Sequence, residues 1–295
     1  ARAMTYKAAA AGLNLGGGKT VLIGDASKVK SEEYFRAFGR YVQSLNGRYI
    51  TAEDVNTSEK DMEYVSMETD YVVGLAGKSG NPSPKTALGV FYGIKAALQY
   101  VFGDDDISKY TFAVQGAGQT GYYLIKYLLE AKAKKIYFTE INQKYIKRMQ
   151  EEHPEVELVG VNDIYSLDVD VFSPCALGGS LNDETIPQIK AKIVAGSANN
   201  ALFDEEKHGM MLRERGILYA PDFVINAGGL INVAHELKGY NEEDPIKDIK
   251  KIYDRLLEIF KMADENNIST QQAAKLFAKN RIEKIGRIRS NYIPK

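Results

Sequence analysis

The chain has 295 residues, with 38 Lys or Arg against 39 Asp or Glu and a formal net charge of −1. That length fits two domains, and the balanced charge, with no basic stripe, excludes a bulk nucleic-acid partner. No apolar run is long enough for a transmembrane helix, and Cys175, the only cysteine, leaves no disulfide and no cysteine zinc cluster.

His153, His208 and His235 are scattered without an HExxH pattern, so no metal site is expected. A reducing, cytoplasmic compartment fits this cysteine usage. Ala1-Arg2-Ala3-Met4 lacks the regions of a signal peptide and reads as the middle of a helix. A glycine-rich stretch from Gly12 to Gly18 leads into Thr20-Val21-Leu22-Ile23-Gly24, whose apolar run predicts a buried strand. Ser31 to Leu45 is predicted helical, with Ser31 as N-cap and Tyr34, Phe35, Phe38, Tyr41, Val42 and Leu45 on one face. Arg48 to Thr51 predicts a short strand, and Ser58 to Thr69 a helix.

The breaker cluster Ser79-Gly80-Asn81-Pro82-Ser83-Pro84 marks a domain boundary. Beyond it a long helix is predicted over Thr86–Phe102. Strands follow at Thr111–Val114, Lys135–Thr139, Val169–Phe172, Ile193–Ala195 and Tyr219–Pro221, with helices at Gly121–Glu130 and Lys144–Glu152. This alternation predicts an α/β fold with a doubly wound parallel sheet. Long amphipathic helices are predicted over Asp248–Ala263 and Thr270–Arg289, their outer charges read as solvation. The expected organisation is a mixed α/β substrate domain over 1–78 and a nucleotide domain over 79–269. The C-terminal helix 270–295 packs back near the first.

Gly116-Ala117-Gly118-Gln119-Thr120-Gly121 stands directly after a predicted strand and before a predicted helix. Gly116 suits the tight turn, Gly118 lets backbone approach a pyrophosphate, and Gly121 allows close helix–strand packing. The helix N-terminus offers free N–H groups to phosphates. Glu140 ends the next strand, 19 residues beyond Gly121, where a carboxylate accepts from ribose hydroxyls and repels a 2′-phosphate. The cofactor expected is therefore NAD, with nearby Lys144 moderating the preference over NADP.

Lys7 follows Met4-Thr5-Tyr6, and Lys19 closes Gly16-Gly17-Gly18-Lys19. Three glycines leave the Lys19 ammonium unscreened and its backbone approachable. A phosphate loop of the GxxxxGK[ST] type fails here. Leu13 occupies the first glycine position, and no strand precedes the run. Asp54 follows a predicted strand, where α/β folds keep catalytic groups and where a turn cap is an equal alternative.

Five segments in order, spanning essentially the whole chain, carry a family resemblance. They are Met4–Lys7, Gly16–Lys19, Asn46–Val55, Ser173-Pro174-Cys175-Ala176-Leu177-Gly178-Gly179 and Val224-Ile225-Asn226-Ala227-Gly228-Gly229. Together they resemble the NAD-dependent amino-acid dehydrogenases acting on leucine, valine, phenylalanine and tryptophan. The resemblance implies oxidative deamination of an L-amino acid with NAD and water to a 2-oxo acid, ammonium and NADH. It implies that Lys7 binds the substrate α-carboxylate, Lys19 activates water, and Asp54 exchanges protons with the amino nitrogen. Asn226 is implied near the carboxylate and nicotinamide, and Thr86 near the carboxamide. Cys175, Ala176 and Leu177, with Ala198, Asn199 and Asn200, are implied to line the cofactor; Cys175 is read as small and apolar rather than nucleophilic.

Met4, Val73, Leu230 and Val233 match the side-chain pocket. Val73 replaces a threonine common in leucine-specific members and Leu230 a valine, which leaves the pocket wholly apolar. Burying a glutamate carboxylate there unpaired is costly, so a branched aliphatic amino acid is expected ahead of an aromatic one. Relatives carry an additional N-terminal segment that contributes strands and an intersubunit contact, and this chain starts just after it. A homo-oligomer is expected, with small molecules as the other partners and neither nucleic acid nor membrane. The competing readings are a hydroxy-acid or shikimate-type dehydrogenase and a non-catalytic NAD-binding regulator. Intact Lys7, Lys19 and Asp54 argue against the second.

Overall fold

The computed structural model describes residues 1–54 and 56–288. Helix α1 (Arg2–Ala10) is followed by an extended run, by the single turn α2 (Ala26–Val29) and by α3 (Glu32–Ser44). Strands β1 (Thr51–Ala52) and β2 (Val72–Val73) flank α4 (Glu59–Ser66) and pair in parallel, Thr51 opposite Val72 and Ala52 opposite Val73. Ser31 caps α3 by accepting from Tyr34 N, and Ser58 and Asp61 form a reciprocal capping box on α4. Phe35, Met62, Val65 and Val72 make the small core between them.

Helix α5 (Ser83–Phe102) leads into β3 (Thr111–Gln115), α6 (Gln119–Glu130), β4 (Lys135–Thr139), α7 (Gln143–Glu152), β5 (Glu157–Leu158), β6 (Val171–Pro174) and β7 (Ile193–Val194). Helix α8 (Lys207–Glu214), β8 (Leu218–Tyr219), α9 (Asp222–Ile225), α10 (Gly228–Ala234), α11 (Glu243–Lys250), α12 (Ile252–Glu265) and α13 (Thr270–Ile288) complete the described chain. The large sheet runs β5-β4-β3-β6-β7-β8, parallel throughout. This is the doubly wound Rossmann order, which reverses between β3 and β6 and opens a crevice beyond their carboxyl ends. One face is buried under α5, α6 and α12, through Val114, Leu124, Ile94 and Leu256. The other is buried by Phe172, Leu181, Ile186, Val194 and Leu212.

Thr20–Gly24 forms no strand. Val21 and Ile23 stand 78% and 93% exposed, because a ladder needs partner N–H and C=O groups and none among the described residues pairs with this run. The amphipathic pattern over Asp248–Ala263 spans two abutting helices, α11 and α12, which break at Lys251. Helix α13 packs on α1, and Arg281 Nη2 donates to Gly12 O (2.9 Å) and Asn14 Oδ1 (2.7 Å). The expected helix end at Arg289 and the tail to 295 lie outside the described residues, as does Val55.

Candidate active site

On the nucleotide side the turn after β3 is fixed before any ligand arrives. Gly116 adopts φ +94°, which L side chains disfavour, and its N–H donates to Thr139 O at 2.8 Å. A Cβ on Gly121 would lie 1.9 Å from Gly116 O, so only glycine lets α6 start this close to the turn. Gly118, Gln119, Thr120 and Gly121 then form the open N-terminus of α6, with no side-chain cap and no acidic residue in its first turn. Around Gly118 an added Cβ would meet nothing nearer than Tyr145 at 4.0 Å. An uncapped, positively polarised helix end over open space fits a pyrophosphate.

Glu140 turns its carboxylate into this loop. Its Oε2 accepts from Ala117 N (2.8 Å), and Oε1 accepts from Ile141 N (2.8 Å) and Asn142 N (2.9 Å). It therefore braces the glycine turn while keeping lone-pair capacity on Oε2 for a ribose hydroxyl. Gln119, Lys144, Tyr145 and Arg148 line an adjoining concavity of about 380 Å³.

Across the switch point, Cys175 N donates to Gln115 O (2.7 Å) and Ala198 N to Pro174 O (2.9 Å). Burial pushes the Cys175 thiol up, which agrees with a lining rather than a nucleophilic role. Ala176 packs against Gly116, and Leu177 projects outward, 85% exposed. Asn226 Nδ2 donates to Ser197 O (3.0 Å) and Asn199 Oδ1 (2.8 Å), while its own Oδ1 is buried without a partner. Asn200, beside it, takes a left-handed φ of 50°. Thr86 sits in the first turn of α5, its hydroxyl donating back to Pro82 O (2.9 Å).

The facing wall is built from α1 and from loops. Thr5 Oγ1 accepts from Gly17 N (3.1 Å), which holds the glycine run over α1. Lys19 then pairs with Asp54, whose loop is closed by a hydrogen bond from Asp54 N to Thr57 Oγ1 (2.8 Å). A lysine becomes a base near neutral pH through burial and a neighbouring cation, but the side chains of the Lys19–Asp54 pair are 48% and 53% exposed. Burial falls on Lys7 instead, where it lowers the ammonium pKa to about 8; Asp222 opposes that shift and Lys19 adds to it. Val73 is buried at the end of β2. Met4 lies one turn before Lys7 on α1, and Leu230 and Val233 one turn apart on α10, all three partly buried.

Two residues escape the sequence reading. Asp222 is not singled out there, yet it is a buried carboxylate, only 8% exposed. Glu236 is not singled out either. In the structure its Oε1 accepts from Gly74 N (2.8 Å) and Ser79 N (3.1 Å) and from the Ser79 hydroxyl, while Oε2 is buried without a partner. It thereby ties the segment between β2 and α5 to the end of α10. The only signal for either was proximity to the Val224–Gly229 motif.

A doubly wound parallel sheet with an open, glycine-built helix N-terminus at its switch point, and with the Lys7-bearing α1 packed on α9, defines the dinucleotide-binding class of α/β proteins. The chain belongs to the Glu/Leu/Phe/Val dehydrogenase family, the amino-acid dehydrogenases. Residues 1–71 match the Glu/Leu/Phe/Val dehydrogenase dimerisation domain, and residues 131–291 match the Glutamate/Leucine/Phenylalanine/Valine dehydrogenase domain. Leucine dehydrogenase of Geobacillus stearothermophilus is 54% identical, over 99% of this chain and 80% of that relative. The crystal structure of L-tryptophan dehydrogenase from Nostoc punctiforme superposes with a TM-score of 0.84 at 45% identity, over 97% of this chain and 82% of that one. The hetero-hexameric glutamate dehydrogenase of Thermus thermophilus shares the fold, with a TM-score of 0.78 at 20% identity over 99% of this chain and 78% of that one.

Proposed function

We propose that the protein catalyses the reversible, NAD-dependent oxidative deamination of a branched aliphatic, leucine-like L-amino acid. The observation that carries this reading is Lys7, a partly buried cation that makes no ion pair among the described residues; the resemblance sets beside it Met4, Val73, Leu230 and Val233, none of which carries a charge. A carboxylate needs such a cation, and a side chain with no charge of its own needs such a wall. The 54% identity to a leucine dehydrogenase supports it. Likeness to a tryptophan dehydrogenase favours an aromatic substrate as the second reading.

In this assignment residues 1–78 form the substrate domain, with α13 packed back on it, and residues 79–269 form the nucleotide domain. NAD, held by Gly116–Gly121, Glu140 and the segments 175–177 and 198–200, supplies the hydride acceptor. Lys7 clamps the α-carboxylate and, with Asn226, orients the Cα–H toward the crevice. Asp54 takes a proton from the substrate ammonium. Lys19, released from Asp54 as substrate enters, takes a proton from the attacking water and polarises the developing carbonyl. Glu140 disfavours a 2′-phosphate, so kcat/KM with NAD should exceed that with NADP, and equal values would remove the assignment of Glu140. The match to a dimerisation domain supports a homo-oligomer, and the single cysteine a reducing cytoplasm.

The discriminating experiment is reduction of 4-methyl-2-oxopentanoate by NADH with and without ammonium. A strict ammonium requirement is expected. Turnover without ammonium would make the protein a hydroxy-acid dehydrogenase, and no turnover in either case, with phenylpyruvate and indole-3-pyruvate equally inert, a non-catalytic binder.

A further inference from the structure

Lys7 has a neighbour whose placement suits one task. Helix α1 packs on α9, with the Tyr6 and Phe223 rings 6.4 Å apart and tilted by 42°. Lys7 and Asp222 follow and precede those rings in sequence, so the packing of the rings brings a cation and a carboxylate to the same junction. Asp222 does not reach across to make an ion pair. Its Oδ1 accepts from Phe223 N (2.7 Å) and its Oδ2 from Ala201 N (3.2 Å), so both oxygens are held by backbone N–H groups, one of α9 and one of the loop after β7. Asp222 N in turn donates to the Tyr219 hydroxyl at 3.3 Å. Among the described residues the Lys7 ammonium makes no ion pair, and all its donors are left for a ligand.

We propose that Asp222 is a positioning residue for substrate binding: a fixed, buried carboxylate that keeps Lys7 cationic from beyond contact distance and so preserves its N–H donors for the substrate carboxylate. The inference rests on the reading of Lys7 as that clamp. A contact pair would spend the donors on Asp222 and set it in competition with the substrate. With no anion nearby, desolvation would discharge the lysine. The groups acting on Lys7 are Asp222 from α9, which favours the charged form, and Lys19 from the glycine run, which disfavours it. Burial pushes the Asp222 carboxyl up and Glu205 adds to that, while the Phe223 and Ala201 N–H groups and Lys7 favour its charged form; the Tyr219 hydroxyl is its other titratable neighbour. Because Ala201 follows Asn199 and Asn200, the same carboxylate fixes the loop implied to line the nicotinamide ribose, so cofactor affinity serves as the structural control.

The test is the pH dependence of 4-methylpentanoate binding to the NADH-saturated enzyme, followed by calorimetry. This carboxylate has the leucine carbon skeleton without an amine, so above pH 6 only the protein titrates. In the wild type, binding should weaken as pH rises past about 8, where Lys7 loses its proton. In Asp222→Asn that limb should move down by about one pH unit, weakening binding about tenfold at pH 8.5, while NADH affinity, touched only through the Ala201 N contact, should fall by much less and by the same factor at every pH. Should the Asn variant not fold, Asp222→Ser makes the same test, since it keeps an acceptor without the charge. A limb that stays in place in a folded variant overturns the proposal, and so does equal loss of NADH affinity, which marks a merely structural role. Lys7→Met separates the two layers. It should bind weakly and without pH dependence, with no further change on adding Asp222→Asn. Wild-type binding by Lys7→Met would instead refute the clamp reading itself.

Discussion

The glycine runs at 16–18 and 116–121 contain three glycines each but are held by different means. The second hangs between a five-residue strand and a twelve-residue helix, with Gly116 N on Thr139 O and Ala117 N on Glu140. The first follows coil, has the Thr5 hydroxyl as its tie to α1, and ends in the half-exposed Lys19–Asp54 pair. A cradle for phosphates gains from being rigid, because its donors are useful only if aimed in advance. A loop carrying a base must give its lysine up to substrate, so a weaker attachment serves it. Substitutions on the nucleotide side should therefore act through sterics, and those on the substrate side through chemistry.

Replacing Lys19 with Ala should show the largest effect, a loss of at least ~10²-fold in kcat with NAD affinity nearly unchanged. Steady-state kinetics with varied NAD check it, and near-normal turnover would move the base elsewhere. Lys7→Met removes a charge-assisted contact worth ~1.5–3 kcal/mol, so KM for the amino acid should rise more than kcat falls. The same variant carries a stability signature with a definite sign. The folded-state pKa of Lys7, about 8, lies below the ordinary value of 10.5, so the unfolded chain binds more protons between those values. Wild-type stability should then climb as pH rises through that window. Lys7→Met should remove the climb and raise the melting temperature at pH 7, by on the order of 2–3 kcal/mol in stability.

Gly121→Ala places a methyl against Gly116 O and should cost ~1–3 kcal/mol, read as lower melting temperature and weaker NAD binding together. Thr5→Val gives the smallest shift. Losing the acceptor for Gly17 N–H costs ~0.5–1.5 kcal/mol and should lower kcat several-fold while NAD affinity holds. If Thr5→Val weakened NAD binding as much as Gly121→Ala does, the distinction between the two runs would collapse.

The same contrast decides what the sequence discloses. Strands β3 and β4 and helices α5, α6 and α7 are legible to within two or three residues, since their apolar periodicity reports burial on a continuous sheet. The run Val21–Ile23 has equal apolar character and no ladder, because period and hydropathy do not say whether a partner strand is at hand. Lys251 breaks a continuous amphipathic pattern that reads as one helix. Gly116, Gly121 and Glu140 are legible because the turn they build is local. Burial of Lys7 is set by α9, more than 200 residues away in the chain, and Asp222 and Glu236 take their meaning from the same long-range packing.

Deamination of an apolar amino acid is tested most directly by NAD reduction with leucine, valine, isoleucine, phenylalanine, tryptophan and glutamate at matched concentrations. Leucine should give the highest kcat/KM and glutamate a rate indistinguishable from no substrate, since Met4, Val73, Leu230 and Val233 offer a second carboxylate no cation. An aromatic winner would revise only the size of the pocket, whereas glutamate as the best substrate would contradict the account.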